Sequence, residues 1–337
     1  MKAVGYTAPG PLDRPDALLD LELDRPSPSG HDLLVQVQAV SVNPVDYKVR
    51  QNRPPEGDGP KILGWDAVGE VVEIGDAVAG FTPGDAVWYA GVINRPGTNA
   101  EFHLVDERIV GRRPRQASNA EAAALPLTAL TAWEMLFDRL RVSDPVLGAA
   151  PAVLIIGGAG GVGSIAIQLL RAHTDLTVIA TASRPETRRW VTELGAHHVI
   201  DHSQSLSPQI EALGIGAPGF VFSTNYSEDY IGQVVELIAP QGRFGLIDDP
   251  PVFDIMPLKA KSISAHWELM FTRPLFQTAD IARQGEILNQ VAALFDEGKI
   301  RSTVTESLGT ISADNLKQAH ALLETGKARG KIVLEGF

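Results

Sequence analysis

Hydrophobic and polar positions divide this 337-residue chain into two kinds of segment. Over the first hundred residues the apolar positions come in short runs. Leu33–Val42 (LLVQVQAVSV) alternates as a half-buried strand does, and Ala67–Ile74 and Asp85–Tyr89 are further short strands. Gly75, Pro83-Gly84 and Pro96-Gly97 mark turns between them. Many short strands with glycine turns predict a small β-barrel. The period changes near Ser118. Ser118–Asp138 reads as helix-rich, opened by a capping box of Ser118 and Glu121. From Val153 strands and helices alternate. Strands are predicted from Val153 and over Leu176–Thr181, His198–Ile200, Gly219–Ser223, Gly242–Ile247 and Ser262–Trp267, with a helix over Arg184–Leu194 closed by Gly195. Such alternation predicts a parallel sheet with helices on both faces. Beyond Arg273 come helices over Ile281–Glu297 and Asp314–Thr325 and strand-like pieces Val304–Leu308 and Lys331–Leu334. The expected fold is α/β. A β-barrel domain of residues 1–126 and 269–337 is interrupted by a doubly wound parallel-sheet domain of residues 127–268, with the active site expected in the cleft between them.

The sharpest local signal is Val153–Arg171, VLIIGGAGGVGSIAIQLLR. An apolar run of strand length meets a glycine turn that opens into a helix, whose Val162, Ile165, Ala166, Leu169 and Leu170 recur at helical spacing. Within the turn, Gly158, Gly160 and Gly163 form G-x-G-x-x-G, the pattern of a Rossmann dinucleotide site. The first glycine permits the tight turn, the second lets a diphosphate approach the backbone, and the third lets the helix pack on the strand. The N–H groups around Gly161, Val162 and Gly163 then face the phosphates with the positive end of the helix dipole. An NAD site usually places an acid at the end of the second strand to hold the ribose 2′-hydroxyl. Here the strand ends Ala182-Ser183-Arg184. A hydroxyl and a guanidinium suit a 2′-phosphate, so the expected cofactor is NADPH. Ser183 and Glu186 also match a capping box for the next helix, with Pro185 in its first turn; no capping role competes at Arg184. His202, after the third strand, is a candidate contact for the adenosine phosphate, and equally a surface histidine. Ser223 ends the fourth strand and Leu246 and Ile247 the fifth, where switch-point loops meet a cofactor.

Composition removes several alternatives. A net charge of −12 disfavours nucleic acid as a partner. With no cysteine there is neither a disulfide nor a thiolate metal site, which fits a reducing cytoplasm. No apolar run reaches membrane-spanning length, and MKAVGYTAPG lacks the apolar core of a signal peptide, so no membrane association is expected. The eight histidines show no metal-ligand spacing, and no G-x-S-x-G elbow supports a hydrolase.

An ordered series of motifs then carries a resemblance. It runs through Val42–Lys48 (VNPVDYK), Leu63–Gly69 (LGWDAVG), Phe81–Val87 (FTPGDAV), Asn99–Phe102 (NAEF), Leu127–Trp133 (LTALTAW), the glycine turn, and Leu194-Gly195-Ala196 through Ile200-Asp201. The chain resembles the medium-chain dehydrogenase/reductase superfamily, which implies a GroES-like barrel beside the Rossmann domain. In the zinc branch the first cysteine ligand would fall at Asn43 and the Gly-His-Glu at Gly64-Trp65-Asp66. Amide and indole cannot replace thiolate and imidazole on zinc, and the structural zinc lobe is absent. The chain therefore resembles the zinc-independent, zeta-crystallin-like quinone oxidoreductases. The resemblance implies NADPH-dependent hydride transfer without a metal to a quinone or α,β-unsaturated carbonyl. Enone double-bond reduction and an NADPH-binding sensor without turnover are the alternatives. Asn43 is the first candidate to bind the acceptor carbonyl. Tyr47 either donates a hydrogen bond or proton or packs as an aromatic. Thr128 either lies near the nicotinamide or bonds to its own helix. Trp65 is expected as an apolar wall for a flat ring. The resemblance also implies a homodimer, through Ser262–Trp267 as an edge strand.

Overall fold

The computed structural model describes residues 1–57 and 59–337. The chain forms two compact units, one of residues 1–130 and 271–337, the other of residues 131–270. The sequence reading set the divisions at 126/127 and 268/269. The observed first division falls inside a helix, where no glycine or proline marks it.

The chain opens with β1 (Lys2–Tyr6), β2 (Leu19–Glu22) and β3 (Asp32–Val42), then α1 (Pro44–Asn52). Strands β4 (Lys61–Ile62), β5 (Ala67–Ile74), β6 (Ala86–Tyr89), β7 (Phe102–Asp106) and β8 (Gly111–Arg112) follow. Ser118 caps α2 (Asn119–Ala123) with Glu121 completing the box, as its spacing predicts. Helix α3 (Pro126–Trp133) runs on into a π-helical stretch, Glu134–Arg139. The second unit continues with β9 (Ala150–Ile156), α4 (Gly161–His173), β10 (Thr177–Thr181), α5 (Pro185–Glu193), β11 (His198–Ile200), α6 (Leu206–Ala212), β12 (Pro218–Ser223), α7 (Ser227–Leu237), β13 (Arg243–Leu246) and β14 (Ser264–Trp267). The chain then returns to the first unit through α8 (Thr272–Phe276), α9 (Arg283–Asp296), β15 (Val304–Ser307), α10 (Ala313–Glu324) and β16 (Lys331–Glu335).

In the first unit β3 is the axis. It pairs antiparallel with β5, β7 and β16. Its alternating sequence predicts a half-buried strand, yet of its eleven residues only Gln36 is exposed. Helices α2 and α10 pack against it, which covers its side chains. The register Ile332↔Val42 has a functional consequence: it sets Lys331 beside the start of α1. The last strand of the chain thus completes the sheet begun near its start.

The second unit is one parallel sheet of order β11-β10-β9-β12-β13-β14, with every pairing parallel. Strand order reverses beside β9, the first strand, which creates a switch point at the C-terminal ends of β9 and β12. Ala152–Ile156 of β9 are all buried, so side chains on both faces of the strand are covered. Leu154, Ile156, Ile179, Val221, Phe244 and Leu246 share one apolar cluster with Val234 and Leu237 of α7. No helix among the described residues is long and apolar enough to cross a membrane.

Candidate active site

The glycine turn joins β9 to α4, and each glycine has a distinct surrounding. A Cβ on Gly158 would lie 2.8 Å from the Ala180 Cβ of β10, so the turn is pressed against the neighbouring strand. A Cβ on Gly163 would overlap the backbone of Gly157 and Gly158, at 2.7 Å from the Gly158 Cα. Gly160 differs: the nearest atom to its Cβ would be Gly157 O at 3.6 Å, ordinary contact distance. The two outer glycines serve packing, and the middle one leaves room for a ligand against the backbone. Gly160 is also the N-cap of α4, and no side chain caps that end. The first turn of α4 holds no acid, so its dipole is not offset there. These features fit the diphosphate of a dinucleotide, and Gly161, Val162 and Gly163 are the residues that would hold it.

Around the end of β10 the structure gathers Thr181, Ser183, Arg184 and His202. Thr181 Oγ1 accepts from Gly157 N at 3.0 Å and lies 3.2 Å from His202 Nδ1. Half-burial lowers the His202 pKa; the Arg184 charge lowers it further, while Asp201 opposes the shift. The capping box expected of Ser183 and Glu186 is not formed. Arg184 is the N-cap of α5, and its N–H donates to Thr187 Oγ1 at 3.2 Å. The helix begins one residue later because Pro185 takes its first position, where a missing N–H costs nothing. Ser183 is thus relieved of capping, and the capping position falls to Arg184. The Arg184 side chain pairs with Glu186 at 3.2 Å.

Two of the residues expected to meet the cofactor at the far strand ends face inward. Ser223 is fully buried, and its Oγ lies 2.9 Å from Ser227 Oγ and 3.3 Å from Asn225 O. Leu246 is fully buried in the sheet's apolar cluster. In each case the last residue of the strand still points into the core, and the chain reaches the surface only beyond it. Ile247 and Thr224 are partly exposed and Asn225 is exposed.

The first unit holds a buried polar cluster that sequence spacing does not reveal. Asn43, Asp46, Asp66 and Lys331 are each at most 3% exposed. Asp66 Oδ2 accepts from Asn43 Nδ2 at 2.7 Å, Ser41 Oγ at 2.8 Å and Lys331 Nζ at 3.0 Å. Asp66 Oδ1 accepts from the Leu127 N–H at 2.7 Å. Lys331 also donates to Asn43 Oδ1 and to Val42 O, the latter at 3.1 Å. Asp46 closes the start of α1, accepting from the Asn43 N–H at 2.8 Å. Burial pushes the Asp46 carboxyl up to about 7, against the lowering effect of that hydrogen bond and of Lys331; the Asp66 charge adds to the rise.

This cluster revises the catalytic candidates. Asn43 was expected to present its amide to an acceptor, but both ends of that amide are held within the protein. Trp65 is core and not a wall: it is 1% exposed, donates from Nε1 to Val92 O at 3.3 Å, and meets Phe271 edge-on at 6.1 Å. Thr128 takes the backbone option, donating to Leu125 O at 3.0 Å. Tyr47 is half-buried on α1. The residues at 43, 65 and 66 do not fit a zinc ion. They offer an amide already engaged, an indole, and a carboxylate whose Oδ2 carries three donors. Among the described residues no group of three His, Asp or Glu could hold a metal ion. Lys331 had been read only as the first residue of a strand. Nothing in KIVL marks it as buried beside Asn43, because its partners lie 265 and 288 residues away.

Comparison with known proteins accords with this architecture. Residues 29–126 match the alcohol dehydrogenase GroES-like domain, and residues 194–334 match the zinc-binding dehydrogenase family. The chain belongs to the medium-chain dehydrogenase/reductase superfamily, within the branch that includes the quinone oxidoreductases. A zinc-type alcohol dehydrogenase-like protein of Staphylococcus aureus is 40% identical over 99% of both chains. The mitochondrial NAD(P)H oxidoreductase RTN4IP1 of Homo sapiens is 31% identical over 90% of this chain and 81% of its own. A crystal structure from Rhizobium etli CFN 42, which carries the name of a zinc-dependent alcohol dehydrogenase, has 63% identity and a TM-score of 0.99, covering 100% and 98% of the two chains. The quinone oxidoreductase of Coxiella burnetii has 28% identity and a TM-score of 0.81, covering 100% and 99%. The protein is an oxidoreductase of the NAD(P)H-dependent kind.

Proposed function

We propose that this protein is an NADPH-dependent reductase of quinones or α,β-unsaturated carbonyls that works without a metal ion. The observation that carries the metal-free reading is the Asn43–Asp66–Lys331 cluster, where an ammonium group, not a metal, neutralises the buried carboxylate. Ser183 and Arg184 support the choice of NADPH, with His202 beside them: a guanidinium and a hydroxyl suit a 2′-phosphate, and no carboxylate ends β10. A bound reduced nicotinamide supplies the hydride. The α4 N-terminus holds the diphosphate. Tyr47 donates a hydrogen bond to the acceptor oxygen, and Asn43 acts as a positioning residue that holds the start of α1, and with it Tyr47. Without a Lewis acid an alkoxide has no strong stabiliser, so a conjugated acceptor that spreads its charge is favoured over a simple alcohol–ketone pair. A homodimer through β14, whose outer edge pairs with no strand in the sheet, belongs to the same reading; sedimentation of the protein and of Ala265→Pro compares the two states. The direct test of function is NADPH oxidation with quinones, enones and aldehydes, with and without EDTA, repeated with NADH. Turnover of a quinone or enone that prefers NADPH and ignores EDTA is expected. Loss of activity in EDTA overturns the metal-free reading, and tight NADPH binding with no turnover favours the sensor.

A further inference from the structure

Tyr226 stands out in the second unit. It is a non-glycine residue in the left-handed region, with φ 52° and ψ 38°, and its side chain is 55% exposed. An aromatic residue in that conformation is strained, and strain of this kind collects at ligand sites. Its position follows from its neighbours. Thr224 N and Oγ1 both donate to Ile156 O, at 3.1 and 3.0 Å, so the Thr224–Asn225 segment lies against the glycine turn. A Cβ on Gly157 would overlap Thr224 Oγ1 and come within 2.9 Å of Asn225 Oδ1. Gly157 in turn donates its N–H to Thr181 Oγ1 at 3.0 Å, the atom that lies 3.2 Å from His202 Nδ1. Tyr226 therefore stands just beyond the C-terminal end of β12, one residue from the segment that lies against the glycine turn.

The chemistry there suits an uncharged flat group and not a phosphate. The start of α7 is already closed by a carboxylate, because Asp248 accepts from Ser227 N at 2.8 Å and from Ser227 Oγ at 2.6 Å. Glu228 and Asp229 add two acids in the first turn. The start of α4 has neither acid nor cap and takes the phosphates. We infer that Tyr226 is a cofactor-binding residue that stacks on the adenine ring of the dinucleotide. This rests on the dinucleotide reading of the glycine turn. Stacking of a base on an aromatic side chain tolerates any base and depends on the ring alone.

The test is calorimetric titration of the full-length protein with NADPH and with adenosine 2′,5′-bisphosphate, which carries the adenine half only. Tyr226→Gly removes both the ring and the strain, so its thermal midpoint is expected to equal or exceed that of the parent. Its affinity for both ligands is expected to fall about tenfold, while Tyr226→Trp stays within about threefold. Unchanged affinity of a folded Tyr226→Gly protein overturns the inference and leaves the dinucleotide reading intact. Failure of the parent to bind either ligand overturns both.

Discussion

Two helix starts in this molecule carry different sequence signals and opposite chemistry. Helix α1 opens at Asn43, has proline in its first turn and an acid at its third position, and is closed by its own side chains. Helix α4 opens at Gly160 with no cap and no acid. At α1 the Asp46 carboxylate answers the Asn43 N–H, and Asp66 and Lys331 hold the Asn43 amide. At α4 no side-chain cap answers the helix start among the described residues. A closed start orders the residues that follow it, while an open start is left for an anion. The contrast teaches that a polar residue at a helix start signals binding only when its hydrogen bonds are unspent.

The largest expected effect breaks the closed start. Lys331→Met leaves the Asp66 carboxylate buried without its counter-charge and is expected to cost about 3–5 kcal/mol of stability in urea titration. Pairing it with Asp66→Asn recovers much of that loss, because the pair and not the lysine is what burial requires; failure to recover it would break the account of the cluster. At the open start, Gly163→Ala forces a Cβ into the Gly157–Gly158 backbone and is expected to cost about 1–3 kcal/mol. Gly160→Ala, with φ −70° and only ordinary contact, is expected to keep stability within about 1 kcal/mol while weakening NADPH binding at least tenfold. Equal stability losses in the two glycine variants would erase the distinction between packing and cradle.

A smaller effect sharpens the cofactor side. Arg184→Ala is expected to reduce the preference for NADPH over NADH by about tenfold, read as the ratio of kcat/KM values, with NADH kinetics little changed. The smallest concerns pH. The folded pKa of Asp46, about 7, exceeds its unfolded value, so its stabilising contribution is complete below about pH 4 and is lost as pH rises toward 7. Burial lowers His103 to about 4 and His320 to about 3, and these act in the opposite sense: their contribution is present above pH 6.5 and lost as pH falls. The parent curve mixes both slopes. The difference between parent and Asp46→Asn isolates the first, and stability of the parent relative to the variant should decline between pH 4 and 7.

Legibility follows the same division. The strand–turn–helix of Val153–Arg171, the alternation of elements after it and the barrel strands were all readable, because each depends on residues near one another in sequence. The α5 start was misplaced by one residue, since Ser183 with Glu186 and Arg184 with Thr187 both satisfy capping spacing and only Pro185 decides between them. The burial of Ser223 and Leu246 was not legible, because strand ends look alike in sequence whether their last side chain faces the core or the surface. Tyr226 was passed over because only a backbone angle distinguishes it from any exposed tyrosine.

The sequence by itself determined the Rossmann sheet, the three glycines that shape its turn, the absence of an acid at the end of β10 and the absence of thiolate ligands. All are local matters of residue type and spacing. Tertiary structure alone decided which polar groups were already spent. Asn43, Asp66 and Lys331 meet only because the last strand pairs with β3 across nearly the whole chain, and a hydrogen bond is set by distance in space, which sequence separation does not encode.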